Sequence, residues 1–301
     1  MRSVPYFDAH CDTLTACDHL RNNHGHLDIQ RLQKYSPCAQ IFAICTPEHY
    51  EEGFRETIPK LISELQENSD VAVLCRSAEE ISCAWAEGKT AVLLAVEGCD
   101  HFACSLDGLQ TAYSLGVRSV NLTWNHDNIL AGAALGSGRG LTEQGTVFVR
   151  KAQTMGIILD LSHASEQTFW DVLKITERPV YATHSNAFSL CPHPRNLTDQ
   201  QFEALVQCGG GAGINLYPEF LGLSHDLDAI IAHIEHFLSL GGEKSIFLGS
   251  DFDGIDQTPI GISGVQDMDV LYEALLKRNY PERLVRDIFY LNLLNILERS
   301  L

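Results

Sequence analysis

The sequence predicts a single-domain α/β protein, a (β/α)8 TIM-like barrel spanning residues 1–301, and three observations lead there. Eight short apolar runs recur along the chain, segments with helical spacing separate them, and no Ser/Gly/Pro-rich linker interrupts the series. Strand then helix, repeated eight times, is what a closed parallel sheet wrapped in helices requires.

The runs are YFDAHCD (6–12), QIFAICTP (40–47), TAVLLAVEG (90–98), VRSVNLTW (117–124), GIILDLSH (156–163), PVYATHS (179–185), GGAGINLY (210–217) and SIFLGSDFDG (245–254). Each is short and nearly uninterrupted, as a strand buried on both faces must be. Helical spacing marks GFRETIPKLISELQEN (53–68), TVFVRKAQTMG (146–156), TDQQFEALVQCGG (198–210) and LDAIIAHIEHFLSLGG (227–242), several of them stopping at glycine. The stretch 46–90 is long enough for two helices or an inserted excursion, and the pattern there is less regular than in the second half.

Composition narrows the function. A hydrophobic content of 45% allows a large core, and 39 acidic against 21 basic residues give a net charge of −18, which repels nucleic acid and anionic lipid. The N-terminus has no long apolar segment of the signal-peptide type, and no apolar run reaches membrane-spanning length. Ten scattered cysteines without a CxxC pair argue for buried thiols rather than a disulfide framework. The expectation is a soluble cytoplasmic protein.

In such a barrel the chemistry sits at the C-terminal ends of the strands. His10 and Asp12 end the first run, Glu97 the third, His163 the fifth, His184 the sixth and Asp251 the eighth. Alternation along a strand points His10 and Asp12 one way and Cys11 the other. Singly, Glu97 reads as a turn cap, His163 as a core histidine and Asp251 as a helix N-cap. Six metal-type residues on five strand ends, costly to bury without an ion, read together as a metal centre of a metal-dependent hydrolase. A pair of Zn²⁺ ions bridged by Glu97 suits this donor set, sharing a water whose pKa falls to about 7 and which attacks as hydroxide. Asp251, left over from ligation, is placed to move a proton.

The motifs DAHCD, VEG, LTWNHDN, LDLSHAS, THSNA, HPRNLTD, INLY and GSDFDG resemble, in order and spacing, those of the membrane dipeptidase (renal dipeptidase-like, M19) family of zinc peptidases, from residue 7 to about 295. The resemblance implies a binuclear zinc dipeptidase acting on a small dipeptide. His10 and Asp12 would hold one zinc, His163 and His184 the other, with Glu97 between and Asp251 as the proton-transfer aspartate. It further implies that His126 contacts the substrate carbonyl, Arg195 binds substrate and Tyr217 lies near the substrate carboxylate, as a guanidinium fork suits a free carboxylate. Secreted members carry a signal sequence and a lipid-anchor tail that this sequence does not show, so membrane attachment is not expected. YLNLLNILERS also lacks the glycine pair and the arginine of relatives.

Other patterns read as decoys. His24 and His26 in NHGHLD follow no strand and suit a solvated loop, while His233 and His236, one helical turn apart, read as surface residues. DFDG is not a calcium loop and GEKS is not a phosphate loop. Cys99 and Cys104 around His101 suit packing beside Glu97. No HxH stands on the first strand, which separates the chain from the deaminase and dihydroorotase branches of related barrels. Two alternatives stay open: a binuclear hydrolase of a lactone, phosphoester or cyclic amide, and a non-catalytic metal-binding barrel. A homodimer is an option the sequence neither requires nor forbids.

Overall fold

The computed structural model describes residues 3–222 and 224–301. Nine parallel strands form its sheet: β1 (Tyr6–Cys11), β2 (Cys38–Ile44), β3 (Ala72–Leu74), β4 (Thr90–Glu97), β5 (Val117–Asn121), β6 (Ile158–Asp160), β7 (Tyr181–Ala182), β8 (Gly211–Ile214) and β9 (Ile246–Leu248). Neighbours run β2-β1-β9-β8-β7-β6-β5-β4, and β2 pairs directly with β4 from Ala39↔Ala91 to Ile44↔Val96, closing a ring of eight. The eight expected runs are the eight ring strands. β3 lies outside the ring, paired with the first residues of β4 on the edge that β5 occupies further along. The irregular stretch 46–90 thus holds two helices, Tyr50–Glu67 and Ala78–Ala86, with this extra strand between them.

Every residue of β1, β2 and β4 is buried, which accounts for the unbroken apolar runs. Several helices start where short polar side chains satisfy free N–H groups. Thr198 forms a capping box with Gln201, and Ser165 accepts from Thr168 N. Gly156 ends the helix Glu143–Met155 in the left-handed conformation, at φ 77°, which a side chain would disfavour. Outside the ring, helices Asp199–Gln207 and Leu227–Ser239 meet through Phe202 and Phe237, stacked with centroids 3.9 Å apart. Removing either ring should cost about 3–5 kcal/mol.

Two features position the site. The register of β1 against β2 passes from Asp8↔Gln40 to Cys11↔Phe42, so β1 carries one extra residue just where His10 emerges. Ring closure then joins the chain's beginning to its end, with Asp12 N donating to Phe252 O at 2.9 Å and Asp251 N donating to His10 O at 3.2 Å. The last segment, YLNLLNILERS, is helical over Asn292–Ser300, and Asn292 Nδ2 donates to the carbonyls of Glu243 and Ile246 at the start of β9.

Candidate metal centre

His10, Asp12, Glu97, His163, His184 and Asp251 converge at the C-terminal mouth of the ring. His10 stands on β1 and Glu97 ends β4, while the other four lie one to three residues beyond their strands. His163 and Asp251 both take left-handed backbone, at φ 68° and 63°, an arrangement that costs energy and is found where a side chain must be aimed. Glu97 Oε1 lies 2.9 Å from His163 Nε2, 3.2 Å from His184 Nε2 and 3.5 Å from His10 Nε2. On the far side His10 Nε2 is 3.6 Å from Asp12 Oδ2 and 3.8 Å from Asp251 Oδ1. Cys11 points away into the apolar core, as alternation requires.

These approaches are not aligned as hydrogen bonds. Among the described residues, His10 Nε2, Asp12 Oδ1 and Glu97 Oε1 are buried polar atoms without a hydrogen-bond partner. Leaving such groups unpaired costs about 1–3 kcal/mol each, so the cluster calls for a cation. Among the described residues three donor sets are each drawn within 4.8 Å: His10/Asp12/Glu97 and Glu97/His163/His184, which share Glu97, and His10/Asp160/His184.

The hydrogen-bond network assigns the tautomers. Thr183 Oγ1 donates to the buried Asp160 carboxylate, so it accepts from His184 Nδ1 at 2.8 Å. Asn125 Oδ1 accepts from His163 Nδ1 at 2.9 Å. Both rings therefore keep their Nε2 lone pairs, which face each other at 3.0 Å with Glu97 beside them. Asp160, though within reach of His10 and His184, is committed to Thr183 and to the N–H groups of Ser162 and Thr183.

Electrostatics divide the cluster. Burial disfavours a charged His10, but Glu97, Asp12 and Asp251 outweigh it and lift its pKa to about 10. Burial, reinforced by Arg195 and by His10 respectively, pushes His163 down to about 4 and His184 well below its ordinary value. Asp12 rises to about 7, chiefly from burial. Burial also raises Asp251. Glu97 runs the other way: burial would raise it, but the charged His10 beside it overcomes that and holds it well below the carboxylate range.

A cavity of about 610 Å³ opens onto this cluster, lined by Asp12, Glu97, His163 and Asp251 and also by Arg195 and Tyr217. Asp251 Oδ2 accepts from Asn215 Nδ2 at 2.9 Å, leaving Oδ1 towards the centre. A Cβ at Gly254 would fall 2.0 Å from Asp12 Oδ2 and 2.9 Å from Asp251 Oδ1, so a side chain there would push both carboxylates out of the cluster. Arg195 is 4% exposed, and among the described residues its guanidinium makes no ion pair or side-chain hydrogen bond. It lies over the Phe220 ring, with Cζ 5.6 Å from the centroid.

Not every expected residue reaches the cavity. His126 is exposed and edge-on to Trp124, centroids 5.9 Å apart, and the cavity wall is made instead by its neighbours Trp124 and Asn125. His26 is no free loop residue either: its Nδ1 accepts from Asp253 N and its own N–H donates to the Asp253 carboxylate. His233, expected at the surface, is fully buried, with Nδ1 accepting from Ala187 N and Nε2 donating to Leu221 O. Cys99 and Cys104 are buried free thiols. Residues the sequence did not single out include Asn125, Thr183 and Asn215, all within quoted motifs, and Cys45 beyond β2, whose thiol burial and Glu97 keep protonated.

A parallel barrel with histidine and carboxylate donors gathered at its strand ends has the make-up of a barrel metallohydrolase. The chain belongs to the membrane dipeptidase family, peptidase family M19, whose pattern matches residues 1–300. It is similar to an uncharacterized dipeptidase of Schizosaccharomyces pombe, 33% identical over 243 residues that make up 77% of this chain and 58% of that protein. It resembles the crystal structure of a dipeptidase described as a metallopeptidase of family M19, with TM-score 0.91, 28% identity and 99% of both chains covered. It also resembles a metallopeptidase from Rhodobacter sphaeroides solved with a phosphinate mimic of the dipeptide L-Ala-D-Ala, with TM-score 0.88, 28% identity and both chains fully covered.

Proposed function

We propose that the chain is a binuclear zinc dipeptidase cleaving the peptide bond of a dipeptide with free ends. The observation that carries this reading is Arg195: a buried guanidinium with no anion of its own, lining the same cavity as the donor cluster. The R. sphaeroides relative, bound to a dipeptide mimic, supports the substrate class. The donor set fits the ions on this structure's own terms, since neutral imidazole lone pairs and orphaned carboxylate oxygens are what zinc takes. His10 and Asp12 would hold one ion, His163 and His184 the other, and Glu97 both. Bound there, the pair supplies a Lewis acid and a hydroxide nucleophile at neutral pH.

The remaining work falls to the chain. Asp251, fixed through Oδ2 by Asn215 and raised by burial, uses Oδ1 to take the proton of the attacking water and returns it to the leaving amine. Arg195 grips the C-terminal carboxylate with its planar fork, and Tyr217 closes the same wall. Ten unpaired cysteines suit a reducing, cytoplasmic setting.

Kinetics on a good dipeptide and its C-terminal amide test the proposal. Amidation should remove about 1.5–3 kcal/mol from transition-state binding, and Arg195→Ala should damage the acid far more than the amide. Equal losses on both would move the reading to the lactone, phosphoester or cyclic-amide chemistry. Full activity after exhaustive chelation would end the metallohydrolase reading altogether.

A further inference from the structure

Beyond the donor cluster, the cavity carries acids that the proposed reaction does not use. Glu219 and Asp256 are exposed residues lining its outer part, and among the described residues neither carboxylate pairs with a cation. Asp253, also on the wall, is already committed to Thr13 and His26. Both free acids lie close to the Tyr217 hydroxyl: after burial, they are the next strongest influences holding its proton. Among the described residues Arg195 is the one buried guanidinium or ammonium group on the cavity wall, and it calls for an anion, so a ligand here must present a negative end inside and a positive group at the rim.

Resting on the dipeptidase reading, we infer that Glu219 and Asp256 select dipeptides whose C-terminal residue bears a cationic side chain, lysine or arginine. The α-amine does not meet this need. It is two bonds from the scissile carbonyl carbon and stays at the depth of Asp12 and Asp251, whose side chains are 10% and 13% exposed. The rim is reached by a longer arm, such as the four-carbon stem of lysine. The geometry also selects the residue. Arg195 lies over Phe220, Glu219 is the neighbour of Phe220 in the chain, and Tyr217 meets that ring edge-on at 5.0 Å. The acids therefore share a wall with the carboxylate anchor, and the side chain nearest that anchor belongs to the C-terminal residue. A net charge of −18 adds a field that draws cationic substrates inward.

The test compares kcat/KM of the metal-loaded enzyme on Ala-Lys and Ala-norleucine, which differ only in the terminal amine, and on Lys-Ala and norleucine-Ala. Each pair is run with an L and a D second residue. Ala-Lys should exceed Ala-norleucine about three- to tenfold at low ionic strength, with the ratio shrinking as salt is added. In the double variant Glu219→Gln, Asp256→Asn that ratio should fall towards one. A ratio of one in the wild type, a lysine preference that survives the double variant, or a preference confined to Lys-Ala would each overturn the inference. Cleavage of Ala-norleucine as fast as Ala-Lys leaves the dipeptidase reading standing, whereas no cleavage of any of the four removes that reading and this inference with it.

Discussion

On one flank of Glu97, His10 stands among three carboxylates; on the other, His163 and His184 turn bare nitrogen lone pairs towards each other, with Glu97 as their nearest acid. The first flank attracts a cation by charge, so strongly that without metal a proton stays on His10 up to pH about 10. The second attracts one by direction, through rings held neutral by burial and aimed by Asn125 and Thr183. If the proposed pair of ions binds here, the contrast means that one donor cluster would prepare two sites by opposite means, joined by the carboxylate they share.

Removing that shared group is the severest way to break the comparison. If the proposed pair is bound, Glu97→Ala should drop metal content from about two ions per chain to well below one and abolish measurable turnover, both read on the same preparation by elemental analysis and assay. Two ions retained would mean that the flanks are independent. Next in size, Asp251→Asn should keep most of the metal yet slow turnover by about 10²–10⁴, the span of a positioned acid–base group. If that variant comes out metal-free, Asp251 is chiefly a ligand of the acidic flank and the division of labour drawn here is wrong.

Smaller changes sharpen the picture. Thr183→Val or Asn125→Ala removes the partner of a ring N–H and should weaken metal binding about 10–100-fold on the imidazole flank alone, seen as a biphasic chelator titration. Equal weakening of both ions would deny that the partners act locally. The least effect concerns the metal-free protein. His163 is depressed to about 4, so its unfolded form binds the extra proton, and the stability it contributes is lost as pH falls from 6.5 towards 4. His10 is raised, so its contribution is complete below pH 6.5 and is lost as pH climbs through about 10. Urea midpoints across pH should show His163→Gln flattening the acid limb and His10→Gln the alkaline one, each by about 1–3 kcal/mol. Identical profiles for the two variants would dissolve the distinction.

Much of this was legible in the sequence because burial leaves a strong mark. The ring strands read as apolar runs, and the residues closing them stood out as the wrong chemistry for a core. β3 left no such mark, since Ala72–Leu74 is three residues long and only Ala72 is buried. Asn125, Thr183 and Asn215 escaped notice for a different reason: asparagine and threonine are ordinary anywhere, and only the ring nitrogen or carboxylate placed opposite each one gives it a role. His126 shows the converse. One residue's difference along an irregular stretch after β5 decides which side chain faces the cavity, and spacing alone does not resolve it. His233 misled because a histidine on an amphipathic helix reads as solvated until its two carbonyl and amide partners are seen.

The seam between β1 and β9 has a consequence in time. His10 and Asp12 are made well before Asp251, yet the bonds from Asp12 N to Phe252 O and from Asp251 N to His10 O bring them side by side. Contacts so distant along the chain form late, after the loop entropy between them has been overcome. A growing chain therefore carries His10 and Asp12 without a completed donor cluster until Asp251 is made and the ring shuts, and on the proposed reading capture of the ions would report that closure.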